Sequence, residues 1–237
     1  MSTLSFSPQT IRVVAFDADD TLWDCQSHFD RVEQECCRLL APYAEPAAVS
    51  AGLFATERAN MPLLGYGTKA FTISLVENAL RISNYQLPAR IVEQLILLGK
   101  ELLRLPATPL DGVEPTLRRL QQSGRYRLVV FTKGELLDQE SKLQRSGLGR
   151  YFSHVETVSD KGEAEFRQLC ARMDVAPGEL LMVGNSFRSD IAPALAIGAW
   201  AVHIPFSVVW ELEKSEEYPH ERLMKITHFS ELEGILL

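Results

Sequence analysis

Five short apolar runs punctuate the chain: Ile11–Phe16, Tyr126–Phe131, Ser153–Val158, Leu180–Val183 and Trp200–Ile204. Each has the length of a strand, and several are apolar throughout, as expected where both faces of a sheet are covered. From the second run onward the intervals carry helical periodicity. Glu135–Ser146 stops at Gly147, Glu163–Met173 fills the next gap, and Ile191–Ile197 is followed by Gly198. Strand alternating with helix predicts a doubly wound, mainly parallel α/β sheet.

The first two runs break this rhythm, being too far apart for a single crossover helix. Between them, His28–Leu40 places Val32, Cys36, Leu39 and Leu40 near one face. Ala70–Ile82 carries Phe71, Leu75 and Leu80, and Ala89–Leu105 carries Ile91, Val92, Leu95, Leu98, Leu102 and Leu103. Pro42, Pro46, Pro62, Pro88 and Pro106 punctuate the segment. The expected organisation is therefore an α/β core of residues 1–22 and 108–237 with a helical subdomain, 23–107, inserted into it.

Composition narrows the function. The 237 residues are 46% apolar and 23% charged with a net charge of −7, which suits an ordinary globular protein and argues against a nucleic-acid polymer as partner. No apolar run reaches membrane-spanning length, and Met1–Thr10 lacks a basic start and an apolar signal segment, so a cytoplasmic location with no membrane partner is expected. Cys25, Cys36, Cys37 and Cys170 have no metal-type spacing and read as reduced thiols.

Chemistry concentrates where strands end, the edge at which open parallel sheets bind ligands. The first run is followed by Asp17, Asp19, Asp20 and Thr21, the second by Thr132, Lys133 and Gly134. The third is followed by Ser159, Asp160 and Lys161, and the fourth by Gly184, Asn185, Ser186, Ser189 and Asp190. Three aspartates in four positions repel one another, so they form either a solvated turn or a site holding positive charge. Asp190 also reads as the N-cap of the helix that follows it.

F-D-A-D-D-T-L, V-V-F-T, the Lys161 that precedes a helix, and V-G-N-S-F-R-S-D stand in order at four strand ends. Together they resemble the four motifs of the haloacid dehalogenase-like hydrolase superfamily, in its branch with an inserted helical cap. The resemblance implies a Rossmann-like core and a Mg²⁺-dependent phosphatase that hydrolyses a small phosphorylated metabolite through an aspartyl-phosphate. It gives Asp17 the role of nucleophile and Asp19 that of acid/base, for which a raised Asp19 pKa is expected. Asp17, Asp190 and the main-chain carbonyl of Asp19 become the Mg²⁺ ligands. Thr132, the backbone N–H groups of Lys133 and Gly134, and Lys161 become the phosphate-binding groups. Dehalogenases of the superfamily lack the acid/base, so Asp19 favours a phosphatase. Two positions depart from the pattern: Asp20 stands where Gly is frequent, and Asn185 stands where many members have Asp, leaving Asn185 to orient a metal-bound water through its amide without adding charge. A phosphomutase and a catalytically weak phospho-ligand-binding scaffold are the alternatives, and the oligomeric state is open. In the inserted segment, L-L-G-Y-G-T-K-A-F places Lys69 as a candidate substrate contact beside Gly65 and Gly67. The same stretch reads equally as a plain interhelical turn. The acidic tail from Ser207 is expected to be a surface loop and a final helix without chemistry.

Overall fold

The computed structural model describes residues 8–237. Within it the chain divides into two compact units. One contains the described residues up to Asp24 together with Ala107–Leu237, and the other is Cys25–Pro106.

In the first unit, β1 (Val13–Phe16) is buried at every position, and its neighbours on both sides are later strands. After the helical segment come α5 (Val113–Ser123), β2 (Arg127–Lys133), α6 (Leu136–Ser146) and β3 (His154–Val158). α7 (Glu163–Arg172), β4 (Leu180–Gly184), α8 (Ala192–Ala196) and β5 (Trp200–His203) follow, then β6 (Leu223–Lys225) and α9 (Leu232–Leu236). The six strands form one sheet in the order β3-β2-β1-β4-β5-β6, every adjacent pair parallel. This is the predicted doubly wound α/β sheet.

Alternation along the strands explains its two covered faces. Val14 and Phe16 point into a layer with Leu117 and Leu120 of α5, Leu143 of α6 and Leu232 of α9. Val13 and Ala15 point the other way, toward Phe166 and Leu169 of α7 and Ala194 of α8. Where the chain leaves and re-enters this unit, Leu110 N–H donates to the Leu22 carbonyl at 2.9 Å, and Trp23 bridges Pro109. Trp23 is wholly buried in the first layer, so the exit and return are tied to the core.

The second unit contains α1 (Gln26–Leu40), α2 (Pro46–Leu64), α3 (Thr68–Ile82) and α4 (Ala89–Leu102). Val32, Cys36 and Leu40 of α1 meet Val49 and Leu53 of α2, Phe71, Leu75 and Ala79 of α3, and Leu95 and Leu102 of α4. Among the described residues, no helix is long and apolar enough to cross a membrane.

Three elements escaped the pattern. α2 carries a thin buried stripe, Val49, Leu53 and Thr56, and its two prolines read as breaks. Pro46 instead sits in the first turn, where no N–H is needed, and Pro62 falls in the last. α5 has a regular stripe, Val113, Thr116, Leu117 and Leu120, masked by Pro115 in its first turn. β6 is three residues long at the sheet edge, without a buried residue to mark it.

Gly99 lets α4 approach α3 closely: a Cβ there would lie 2.0 Å from Thr72 Oγ1, 2.5 Å from its Cγ2 and 2.8 Å from its Cβ. Gly99→Ala is expected to lower the stability of the helical unit by about 1–3 kcal/mol, although alanine in an open helix gains about 1 kcal/mol. Urea denaturation measures the loss. Thr72→Ala in the same chain returns part of it, because two of the three crowded atoms disappear.

Candidate active site

The first carboxylate is placed by the sheet itself. Asp17 N–H donates to the Val183 carbonyl at 2.9 Å, extending the β1–β4 ladder one residue beyond the strand. The chain then turns sharply, with Leu22 N–H donating to the Ala18 carbonyl at 2.8 Å. Asp20 takes up the turn at φ 62°, and its N–H donates to the Trp23 carbonyl at 2.7 Å. That left-handed conformation is easiest for Gly and tolerable for Asp. A backbone demand therefore accounts for the third aspartate of the cluster.

Lys161, arriving from the end of β3, sits between Asp17 and Asp190. Its Nζ donates to Asp17 Oδ1 at 2.5 Å and to Asp190 Oδ1 at 2.6 Å, and all three side chains are buried. Asp190 is fixed further by Ser186 N–H, which donates to its Oδ2 at 3.0 Å. Gly184 leaves the space for this carboxylate: a Cβ there would fall 2.3 Å from Asp190 Oδ2 and 2.6 Å from its Cβ. Thr21 Oγ1 lies 3.3 Å from Asp17 Oδ2 and 3.1 Å from Asn185 Oδ1, a donor shared between the two, and accepts from Asn185 N–H at 3.1 Å. Asp17, Lys161, Asp190 and Asn185 thus come together as one cluster.

The charges of this cluster do not balance. Two carboxylates face one ammonium, and burial pushes the Asp17 carboxyl up to about 7, with Asp190 adding to the rise and Lys161 opposing it. Burial works against the Lys161 charge, but the two aspartates outweigh it and raise the ammonium pKa. The cluster is one positive charge short of neutral when both acids are counted as carboxylates.

Asp19 belongs to a different network. Lys142 Nζ donates to both of its oxygens, at 2.8 and 2.7 Å, Gln139 Nε2 donates to Oδ2 at 2.8 Å, and Trp23 Nε1 donates to Oδ1 at 2.7 Å. Burial pushes the Asp19 carboxyl up, but the Lys142 charge and these hydrogen bonds outweigh it and hold it below the usual carboxylate range. The expected rise in its pKa is therefore corrected: neighbouring carboxylates do not govern Asp19, because a buried lysine faces it.

Gln139 and Lys142 were missed in the sequence, because only the fold shows which face of the helix turns inward. On α6, Leu136 is 61% exposed and Leu137 68% exposed, while Asp138, Gln139 and Lys142 are buried. A helix beginning just beyond a strand end that hides its polar face is serving a polar partner.

Thr132 is buried at the end of β2, paired in register with Thr157. Gly134 N–H donates to the Val158 carbonyl at 3.0 Å, so the expectation that it faces a phosphoryl oxygen is corrected: that group serves the sheet. Lys133 extends its side chain to Ser189 Oγ at 2.7 Å and pairs with Glu213. Glu213 lies in the tail, accepts from Ser186 Oγ and Ser189 Oγ at 2.6 Å each, and is held below the usual carboxylate range by Lys133 and both hydroxyls against the effect of burial. The tail thus reaches the strand-end cluster, contrary to expectation. Its long-range pairing leaves no local pattern to read. Lys69 is exposed near the start of α3, in the helical unit, after Gly65 and Gly67 at φ 67° and 129°.

Among the described residues, no three His, Cys, Asp or Glu side chains are gathered as a metal site. The oxygen donors that converge are Asp17, Asp190 and the Asn185 amide.

Known proteins supply an independent comparison. N-acylneuraminate-9-phosphatase of Homo sapiens is 25% identical over 199 residues, 79% of each chain. Glyceraldehyde 3-phosphate phosphatase of Methanothermobacter thermautotrophicus is 33% identical over 99 residues, 40% of this chain and 43% of that protein. The chain's match thus spans less than half the length of that relative. A solved haloacid dehalogenase-like family hydrolase from Xanthomonas campestris superposes with a TM-score of 0.85 at 30% identity, covering 95% of this chain and 92% of that one. The family model for haloacid dehalogenase-like hydrolases matches residues 11–198, from the start of β1 through the Asp190 cluster, and the chain belongs to that family.

Proposed function

We propose that the chain is a Mg²⁺-dependent phosphatase of small phosphomonoesters that works through an aspartyl-phosphate on Asp17. The observation that carries this reading is the Asp17–Lys161–Asp190 cluster at the carboxyl edge of a parallel sheet, with Asp19 two residues beyond. The two relatives named as phosphatases support a small phosphorylated metabolite as substrate.

A divalent cation fits the residues present. Asp17, Asp190 and the Asn185 amide are oxygen donors of the kind Mg²⁺ prefers, with the Asp19 main-chain carbonyl added by family resemblance. The pair of carboxylates facing one lysine lacks one positive charge. When bound, Mg²⁺ supplies that charge, keeps Asp17 ionised and screens the phosphoryl oxygens from it.

The chain's own groups then divide the work. The Asp17 carboxylate attacks phosphorus, while Lys161 orients it and balances charge gathering on the phosphoryl oxygens, with the Thr132 hydroxyl as a further donor. The alkoxide of the substrate leaves as an alcohol, its proton coming from Asp19. In the second half the Asp19 carboxylate accepts a proton from the water that opens the acyl phosphate. Lys142, Gln139 and Trp23 hold the Asp19 carboxyl below the usual range, which favours its base form, so the proton it passes to the leaving alkoxide is first taken up from solvent. Lys69, exposed in the helical unit, is the candidate contact for an anionic group of the substrate.

Asp17→Asn is expected to reduce Mg²⁺-dependent phosphate release from p-nitrophenyl phosphate by at least about a thousandfold. Ordinary turnover by that variant removes Asp17 from the nucleophile's role. Mg²⁺ at about 100 times its dissociation constant should stabilise the parent chain by about 2.7 kcal/mol. Differential scanning calorimetry should record the rise, and the variant with both Asp17→Asn and Asp190→Asn should show none. Lys142→Met removes the buried ammonium that pairs with both Asp19 and Asp138. A loss of about 3 kcal/mol in urea unfolding is expected, together with an upward shift of the acid limb of the pH–rate profile, because Asp19 loses the charge that holds its carboxyl down.

A further inference from the structure

Outside the Asp17–Lys161–Asp190 cluster, another inward-turned carboxylate receives an unusual set of donors. Glu213 lies on the short helical turn Glu211–Glu213, in the long connection from β5 to β6. From Lys214 to Glu221 that connection is exposed at every position. Yet the Glu213 carboxylate is tucked inward and receives Lys133 Nζ, Ser186 Oγ and Ser189 Oγ. Ser189 Oγ, while donating to Glu213 at 2.6 Å, accepts from Lys133 at 2.7 Å, so the ammonium and hydroxyls form one closed set.

The position of this set within the sheet gives it meaning. Lys133 ends β2, while Ser186 and Ser189 follow β4, and the strand between them is β1. Neighbouring strands stand about 4.8 Å apart. The Lys133–Ser189 bridge therefore crosses the carboxyl end of β1, where Asp17 begins. An ammonium with two hydroxyls closing on one carboxylate is the donor set of an oxyanion receptor. Glu213 supplies from within the chain the oxygens such a receptor binds.

We propose that Lys133, Ser186 and Ser189 form an anion subsite beside the nucleophile, which an oxyanion of the substrate enters by displacing Glu213. Glu213 is then an internal competitor that sets how tightly the site takes anions, and a specificity residue for the reaction. The subsite itself follows from the geometry; only the identity of its anion as part of a phosphomonoester rests on the phosphatase reading.

Inorganic phosphate, titrated by calorimetry without turnover, is the probe. Glu213→Gln is expected to bind it about tenfold more tightly than the parent chain. Adding Lys133→Met is expected to abolish the gain. Equal or weaker binding by Glu213→Gln, or a gain that survives Lys133→Met, overturns the proposal. The unmodified protein provides a second measurement that needs no variant to fold. Phosphate should speed tryptic cleavage after Lys214 as the neighbouring anchor lets go, and unchanged or slower cleavage overturns the proposal.

Kinetics identify the source of the anion. A fall in KM shared by p-nitrophenyl phosphate and phosphoglycolate in Glu213→Gln supports the subsite and assigns it to the transferring phosphoryl group. A fall confined to phosphoglycolate supports it and assigns it to the substrate's second anionic group. A chain that binds phosphate as expected but hydrolyses no ester keeps the subsite and loses the phosphatase reading.

Discussion

One ammonium between two buried carboxylates organises the α/β unit. Lys161 is delivered by the loop after β3, Asp17 by β1 and Asp190 by the turn after β4, so three strand ends must be in register for the contacts to exist. Burying charge is costly unless partners are held at hydrogen-bond distance. The parallel sheet meets that condition because its strands end at one edge. The hydrophobic layers on its two faces fix the strands, and the strands fix the charges.

The imbalance of the cluster is as informative as its contacts. A protein that only needed a structural ion pair would match its charges. Two acids against one base leave a buried excess of negative charge, the condition in which a carboxyl drifts toward neutrality and a cation becomes welcome. Asp19 shows a different outcome within two residues. Lys142, which also pairs with Asp138, joins Gln139 and Trp23 in donating to it and holds its carboxyl below the usual range.

Much of this was legible in the sequence, for identifiable reasons. Strands buried on both faces announce themselves as apolar runs, and the residue just past each run is placed at the sheet edge by geometry alone. Asp17 and the loop that carries Lys161 are therefore placed at that edge by the sequence, whereas Asp190, farther past its run, joins them through the family resemblance. The family resemblance supplied their expected roles. What stayed hidden depends on direction rather than on order along the chain. Nothing local says that Lys142 turns inward, or that Glu213, from a run of acids in the tail, crosses to meet Lys133. Asp20 shows a third kind of limit: it answers a backbone demand at φ 62°, which reading side-chain chemistry could not find.

Lys161 also borders the apolar interior. Its ammonium stands 5.5 Å from the centroid of the Phe131 ring, which meets Phe166 of α7 edge-on at 4.9 Å. The layer that stabilises the sheet therefore shares a wall with its most consequential charge. Repacking that layer alters the electric environment of the ammonium without touching a polar atom, so tolerance to mutation in this part of the core is set by electrostatics as well as by volume.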